Sequence, residues 1–311
     1  MTRIGSSLSR RHVLKGLGAL GTLATVKPAL ALAADIPLHL KRIPGHELRL
    51  PSIGMGTWIT FNVPPFTAAR ENCVDVLRAF FDAGGTLVDS SPMYGLAEAV
   101  VGHCLEQLGD TPLFSATKVW TPTRLAGVAQ MNLSESLWGV ERFDLMQIHN
   151  MVDWETHLET LREWRAEKRL RFIGITTSHG RRHSAMEKVI ENEDAIDFVQ
   201  FTYNVSDREA ERRLLPAALA NGKAVIINRP FRTGGLFDRV GAAPLPEWAA
   251  EVGCATWSQF FLKFVTSHPA VTCAIPATSR VDHMRENMVA LTGPVPDAAM
   301  RRRMADYFDS I

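Results

Sequence analysis

The stretch "GGTLVDSSPMYG", residues 84–95, reads as a short buried strand running into a loop. Leu87 and Val88 are β-compatible apolar residues, and Asp89 stands where the apolar run stops. Ser, Pro and Gly then break any regular structure. Seven other runs share this character: "SIGMGTW" (52–58), "LFSATKV" (113–119), "DLMQIHN" (144–150), "RFIGITT" (171–177), "DFVQFTYN" (197–204), "AVIINRP" (224–230) and "VTCAIPA" (271–277).

Amphipathic stretches separate the runs, among them "TAARENCVDVLRAFFDAG" (67–84), "WETHLETLREWRAEK" (154–168) and "DREAERRLLPAALANG" (207–222). Before the last of these, Ser206 and Glu209 have the spacing of a capping box, and Gly222 sits where a helix would stop. Eight strand–helix alternations predict an α/β chain folded as a (β/α)8 TIM barrel. An open doubly wound sheet is the alternative. The segment "LHLKRIPGHELRL" (38–50) reads as an N-terminal β-hairpin turning at Pro44-Gly45, placed to plug the barrel floor. After Arg280 the last barrel helix and a C-terminal helix near 297–309 are expected.

A barrel carries its active site at the C-terminal ends of its strands. Read in order, those ends offer Asp89, Lys118 and His149, with Tyr94 five residues after Asp89. Singly, each has an ordinary explanation as a cap, a surface charge or a packed ring. Together they have a chemical logic. A free phenol, with a pKa of about 10, is a poor proton donor near neutrality. An ammonium beside it favours the phenolate, and a carboxylate keeps that ammonium charged. An imidazole opposite can hydrogen-bond a carbonyl oxygen. Such a set suits protonation of an oxygen that gains negative charge.

With these residues in place the chain resembles the aldo/keto reductase family, from "LPSIGMGTW" to "TSRVDHMREN". "GGTLVDSSPMYG", "SATKVW" and "DLMQIHN" are similar to its strand-2, strand-3 and strand-4 motifs. The resemblance implies a barrel that binds NADP(H) and reduces an aldehyde or ketone. Tyr94 would be the general acid, Lys118 would tune it, Asp89 would hold Lys118, and His149 would orient the carbonyl. It also implies cofactor contacts. Gly56, Thr57 and Trp58 would lie near the nicotinamide ribose, and Gln200 near the carboxamide. Thr278, Ser279 and Arg280 would meet the adenosine 2′-phosphate, with Glu286 and Asn287 at the adenine. A hydroxyl-rich loop with an Arg opening a helix suits phosphate in its own right. Ser279 and Asp282 also have capping spacing, which is compatible. Some members of this fold resemble NADP-binding regulatory or sensor proteins with little turnover, the alternative to an enzyme.

The chain departs from the family pattern in places. Thr176 and Thr177 replace the usual Ser-Asn after strand five. Asn228 and Arg229 stand where an aromatic would stack on the nicotinamide, and Asn150 replaces an aromatic beside the histidine. The proton chemistry is untouched by these changes, whereas the cofactor contacts are altered. Trp58, Phe61, Trp120, Met151 and Phe231 sit on rim segments and are candidates to line an apolar substrate pocket. His179 and His183 are four apart, but no third ligand is evident and Arg181 and Arg182 lie between them, so no metal is expected.

The N-terminus has a separate character. "SRRHVLK" (9–15) precedes an apolar run to Val26 and then "KPALALAA", with small residues in A-x-A spacing. This is the order of a secretory signal, and Arg10-Arg11 resembles the twin-arginine (Tat) type, which exports folded proteins. Gly16, Gly18 and Gly21 mimic a dinucleotide fingerprint, but no strand precedes them. The expected organisation is a signal peptide over residues 1–34 and a barrel over 35–311. Periplasmic or secreted localisation follows, with the Tat machinery as partner, no stable membrane anchor and a monomeric state. Removing the five basic residues of the signal leaves 29 Lys+Arg against 33 Asp+Glu, a balance of −4. That balance, with no basic patch, argues against nucleic acid. Cys73, Cys104, Cys254 and Cys273 all fall in apolar patterns without C-x-x-C spacing and read as buried free thiols.

Overall fold

The strand interiors alternate with period two, and that alternation builds the molecule. The structure, a computed structural model, describes residues 37–311. The signal segment lies outside the described residues. A hairpin of β1 (Leu40–Arg42) and β2 (Arg49–Pro51) comes first, antiparallel, with Lys41 opposite Leu50. Eight parallel strands follow: β3 (Met55–Gly56), β4 (Leu87–Asp89), β5 (Phe114–Val119), β6 (Phe143–Ile148), β7 (Leu170–Thr176), β8 (Phe198–Thr202), β9 (Ala224–Asn228) and β10 (Cys273–Ala274). They neighbour one another in sequence order. Parallel bridges Ile53–Ala274 and Gly56–Ala277 join the first strand to the last and close the barrel.

Between and after the strands run α1 (Ala68–Asp82), α2 (Ala97–Leu108), α3 (Arg124–Trp138), α4 (Trp154–Ala166), α5 (His183–Asn192), α6 (Leu214–Ala220), α7 (Gly235–Val240), α8 (Trp257–Thr266), α9 (Val281–Val289) and α10 (Ala298–Ser310). Thr67 starts α1 by accepting the Arg70 N–H on its hydroxyl. Cys73, Val76, Leu77 and Phe80 then turn one buried stripe toward the sheet.

Two apolar clusters result. Outward strand residues such as Val88, Val119, Ile173, Val199 and Ile227 pack under the helices. Inward residues Leu87, Phe114, Ala116, Leu145, Phe172, Phe198, Ala224 and Ile226 fill the barrel, with Ile43 and Leu50 of the hairpin among them. His46, in the hairpin turn, sets its ring edge-on to Phe172, 4.8 Å away. The hairpin therefore closes the floor.

Two residues further along each strand the inward row changes character. Leu87 gives way to Asp89, Ala116 to Lys118, Leu145 to Gln147, Phe198 to Gln200 and Ile226 to Asn228. Where this row would be overfilled, Gly174 of β7 stands in it. A Cβ there would lie 2.7 Å from Cγ of Gln147.

One local reading is corrected. Ser206 and Glu209 do not cap a helix. Asn204 takes over the turn, its Oδ1 accepting the N–H groups of Ser206 and Asp207. A short 3-10 turn, Glu209–Glu211, follows, and α6 begins only at Leu214. All four cysteines are buried and free.

Candidate active site

The polar row forms one hydrogen-bonded network. Lys118 is fully buried, and its ammonium donates to Oδ1 of Asp89 at 2.5 Å and to the Ser90 carbonyl at 2.7 Å. The other Asp89 oxygen accepts from Nε2 of Gln147 at 2.8 Å and from Nε2 of Gln200 at 3.0 Å. Burying a charge pair is costly unless its remaining lone pairs and protons are satisfied. The two glutamine amides supply that satisfaction.

Tyr94 arrives from the loop. Ser91 accepts the Met93 N–H at 3.2 Å and so starts the 3-10 turn Pro92–Tyr94. This turn brings the tyrosine ring to 4.9 Å from the Lys118 ammonium, measured to the ring centroid. His149 follows β6 directly. Its ring stands perpendicular to that of Tyr94 with centroids 5.8 Å apart. Nδ1 of His149 lies 2.9 Å from the Ser91 hydroxyl. The structure thus brings Asp89, Tyr94, Lys118 and His149 to one place.

The electrostatics divide the four into two charged and two neutral groups. Burial alone would push the Lys118 ammonium down, but the neighbouring Asp89 and Tyr94 oxygens outweigh it and hold the pKa above the ordinary value. Burial, helped by the Lys118 charge, pushes His149 down to about 2, so its imidazole is neutral. Burial pushes the Tyr94 phenol up, and Lys118 only partly opposes this. The expectation from sequence was a phenol lowered by the ammonium; desolvation is the larger effect in the free protein. Two neutral donors, a phenol and an imidazole, therefore stand over a buried ion pair.

Both donors face a cavity of about 630 Å³ that runs from Asp89 to Asn287. Its near end is lined by Gly56, Thr57, Trp58, Thr176, Gln200 and Asn228. Asn228 is fixed by donating to the Thr177 carbonyl at 2.9 Å and accepting from the Thr202 hydroxyl at 2.7 Å. Arg229 and Phe231 also line it. The Arg229 guanidinium makes no side-chain hydrogen bond among the described residues, and burial pushes its pKa down against the pull of Asp207. Thr278, His283, Glu286 and Asn287 line the far end. Asn150 accepts a hydrogen bond from Ser178, and both line the cavity beside His149. Its φ of 53° is a left-handed turn that Asn tolerates better than most residues.

Several sequence candidates stand elsewhere. Thr177 turns its hydroxyl away to the Arg181 carbonyl, 2.7 Å distant. Ser279 and Arg280 are not in the cavity wall. The Ser279 carbonyl accepts from Asn72, and Arg280 is exposed and forked onto Asp282. Ser279 does not cap α9 either; Arg280 stands at its N-cap without a side-chain cap bond, and its own N–H donates to the Thr278 hydroxyl. Phe61 and Met151 are buried in the core under the helices. Trp120 is exposed on the rim, its ring 6.4 Å from that of His149. Sequence reading missed Gln147, Ser91, Ser178 and His283. Gln147 could have been found, since it sits two before His149 on the same inward row.

The comparisons with known proteins follow the same line. The aldo/keto reductase family profile matches residues 52–303. The aldo-keto reductase YhdN of Bacillus subtilis is 26% identical over 185 residues, spanning 54% of this chain and only 55% of that protein. Pyridoxine 4-dehydrogenase of Escherichia coli is 26% identical over 243 residues, 71% of this chain and 82% of that one. Among solved structures, an aldo/keto reductase of Klebsiella pneumoniae in complex with NADP and acetate has a TM-score of 0.72 at 24% identity. That match covers 88% of this chain and 96% of the other. The glycerol dehydrogenase of Gluconobacter oxydans has a TM-score of 0.70 at 18% identity, covering 87% and 94%. The barrel is therefore shared, and with the profile spanning β3 to α10 the chain belongs to the aldo/keto reductase family.

Proposed function

We propose that this chain is an NADP(H)-dependent oxidoreductase that reduces an aldehyde or ketone to an alcohol. One observation carries the reading: a neutral phenol and a neutral imidazole face a cavity directly above a buried Lys118–Asp89 pair. The cavity also suits a dinucleotide. Amide and hydroxyl groups of Gln200, Asn228 and Thr176 match a carboxamide at the near end. Arg229 offers to phosphate a guanidinium that makes no side-chain hydrogen bond among the described residues. Thr278, His283, Glu286 and Asn287 present polar groups to an adenosine at the far end. Bound there, the cofactor supplies a hydride to the carbonyl carbon.

The chain's own residues handle the proton. Tyr94 donates its phenolic proton to the carbonyl oxygen as negative charge builds there. Lys118, fixed by Asp89, stabilises the phenolate that remains. His149 holds the oxygen in line with a hydrogen bond. A positioned acid contributes about 10²–10⁴ in rate. In the oxidative direction Tyr94 takes the proton back.

The test combines binding with chemistry. The protein is titrated with NADPH by fluorescence, then supplied with NADPH deuterated at C4 and a panel of carbonyl compounds. Saturable binding and deuterium on the carbinol carbon of a product are expected. Binding without label in any product contradicts carbonyl reduction.

For the N-terminus we read residues 1–34 as a twin-arginine signal and residues 35–311 as a monomeric barrel exported to the periplasm or beyond. Arg10-Arg11, the apolar run and the A-x-A sites support this. Among the described residues no helix is long and apolar enough to cross a membrane. An exported, folded barrel would carry its cofactor across already bound. Arg10→Lys with Arg11→Lys should hold the protein in the cytoplasmic fraction. Export unaffected by the double change contradicts the reading.

A further inference from the structure

Of the two serines after Asp89, the second is fully buried. Its Oγ accepts the Met93 N–H, one residue before Tyr94, and lies 2.9 Å from Nδ1 of His149. A hydroxyl carries one proton, and a buried one must hand it to an acceptor. Among the described residues the acceptor within hydrogen-bond distance of the Ser91 hydroxyl is Nδ1 of His149. Were the ring proton on Nδ1 instead, pointing at Oγ, the hydroxyl proton would have no partner. The bond therefore runs from Ser91 to His149.

The direction matters because His149 is neutral. Burial and the Lys118 charge keep it from becoming an imidazolium. A neutral imidazole has a single ring proton, and the two nitrogens are not equivalent. With Nδ1 accepting, the proton resides on Nε2. That nitrogen makes no hydrogen bond among the described residues, and His149 lines the cavity. The opposite tautomer would present a lone pair to the carbonyl oxygen and repel it.

We propose that Ser91 is a positioning residue: its hydroxyl fixes His149 in the Nε2-protonated tautomer and ties that ring to the turn bearing Tyr94. The inference rests on the carbonyl-reductase reading above. One oxygen atom thus sets the spacing of the two donors that meet the substrate oxygen.

The test reads the tautomer directly. In protein labelled with 15N-histidine, the ring resonances of His149 are assigned by their absence from His149→Asn. The free wild-type protein should show Nδ1 as the bare nitrogen and Nε2 as the protonated one. In Ser91→Ala the two forms should mix. NADPH affinity should stay within about twofold while kcat falls in proportion to the Nε2-protonated fraction, about twofold for an even mixture. A wild-type spectrum with the proton on Nδ1 overturns the proposal. So does Ser91→Ala with unchanged kcat, or with lowered kcat and an unchanged tautomer, which would leave Ser91 only a cap. If wild-type protein reduces no carbonyl compound, the functional reading fails, and the spectrum still decides the tautomer.

Discussion

Lys118 is a fully buried charge, and most of the residue-scale chemistry follows from that. Its ammonium is kept by Asp89 and Ser90, and it acts on two neutral neighbours. Lys118→Met should lower kcat by about 10²–10⁴ and leave the Asp89 carboxylate buried with glutamine amides only, destabilising the fold by roughly 3–5 kcal/mol. Steady-state kinetics and urea melts read the two effects separately. The pH profile is a second check. With His149 lowered to about 2, the imidazole does not titrate between pH 5 and 8, so kcat/KM for reduction should show no acid limb near 6.5. The phenol pKa lies above its ordinary 10 in the free protein, so Tyr94 keeps its transferable proton through neutrality. Activity should fall only on the alkaline side. An acid limb near 6.5 that disappears in His149→Asn contradicts this. The grouping was legible in the sequence because Asp89, Lys118 and His149 follow apolar strand interiors, with Tyr94 in the loop after Asp89, and because the strings around them resemble the motifs of one family. Ser91 was invisible because serine in a loop needs no explanation. Arg280 was read toward the cofactor, but where a side chain points is not written in its identity; Asp282, two residues on, captures it.

The elements were legible for a different reason. Eight apolar runs set between amphipathic stretches leave few architectures, and the hairpin could be seen from Pro44-Gly45. Local caps were harder, because several polar residues compete for the same backbone groups. Ser206 and Glu209 had the right spacing, yet Asn204 reaches the free N–H groups first. Close approach between helices was also hidden. Gly102 in α2 faces the end of α3, where a Cβ would fall 1.9 Å from the Leu137 carbonyl oxygen. That obstacle is backbone, so the helices must part. Gly102→Ala should destabilise the protein by about 1–3 kcal/mol, seen as a lower denaturation midpoint. Gly102 is outside the cavity wall, so kcat per folded molecule should not change. A midpoint equal to wild type would mean that α2 and α3 are less tightly set.

At the scale of the whole molecule, the neutral His149 links the site to acid stability. Its pKa falls from 6.5 in an unfolded chain to about 2 in the folded one. The unfolded state therefore binds the proton more readily, and stability is lost as pH drops below 6.5. His268, lowered to about 4 by burial, adds in the same direction. For the buried His149 the loss is on the order of 1.4 kcal/mol per pH unit. Melting temperature should fall between pH 6.5 and 4, and less steeply in His149→Asn; equal slopes would contradict a buried, neutral His149. Placement of a catalytic constellation on a rigid barrel carries this cost, because the groups that donate protons must be kept dry. The account stands on Tyr94 as the proton donor, and single-turnover oxidation of bound NADPH by a carbonyl substrate, followed by absorbance, tests it most directly. Tyr94→Phe should bind NADPH with an affinity within about twofold of wild type and slow that step by at least about 10². A Tyr94→Phe enzyme that turns over at the wild-type rate would contradict it.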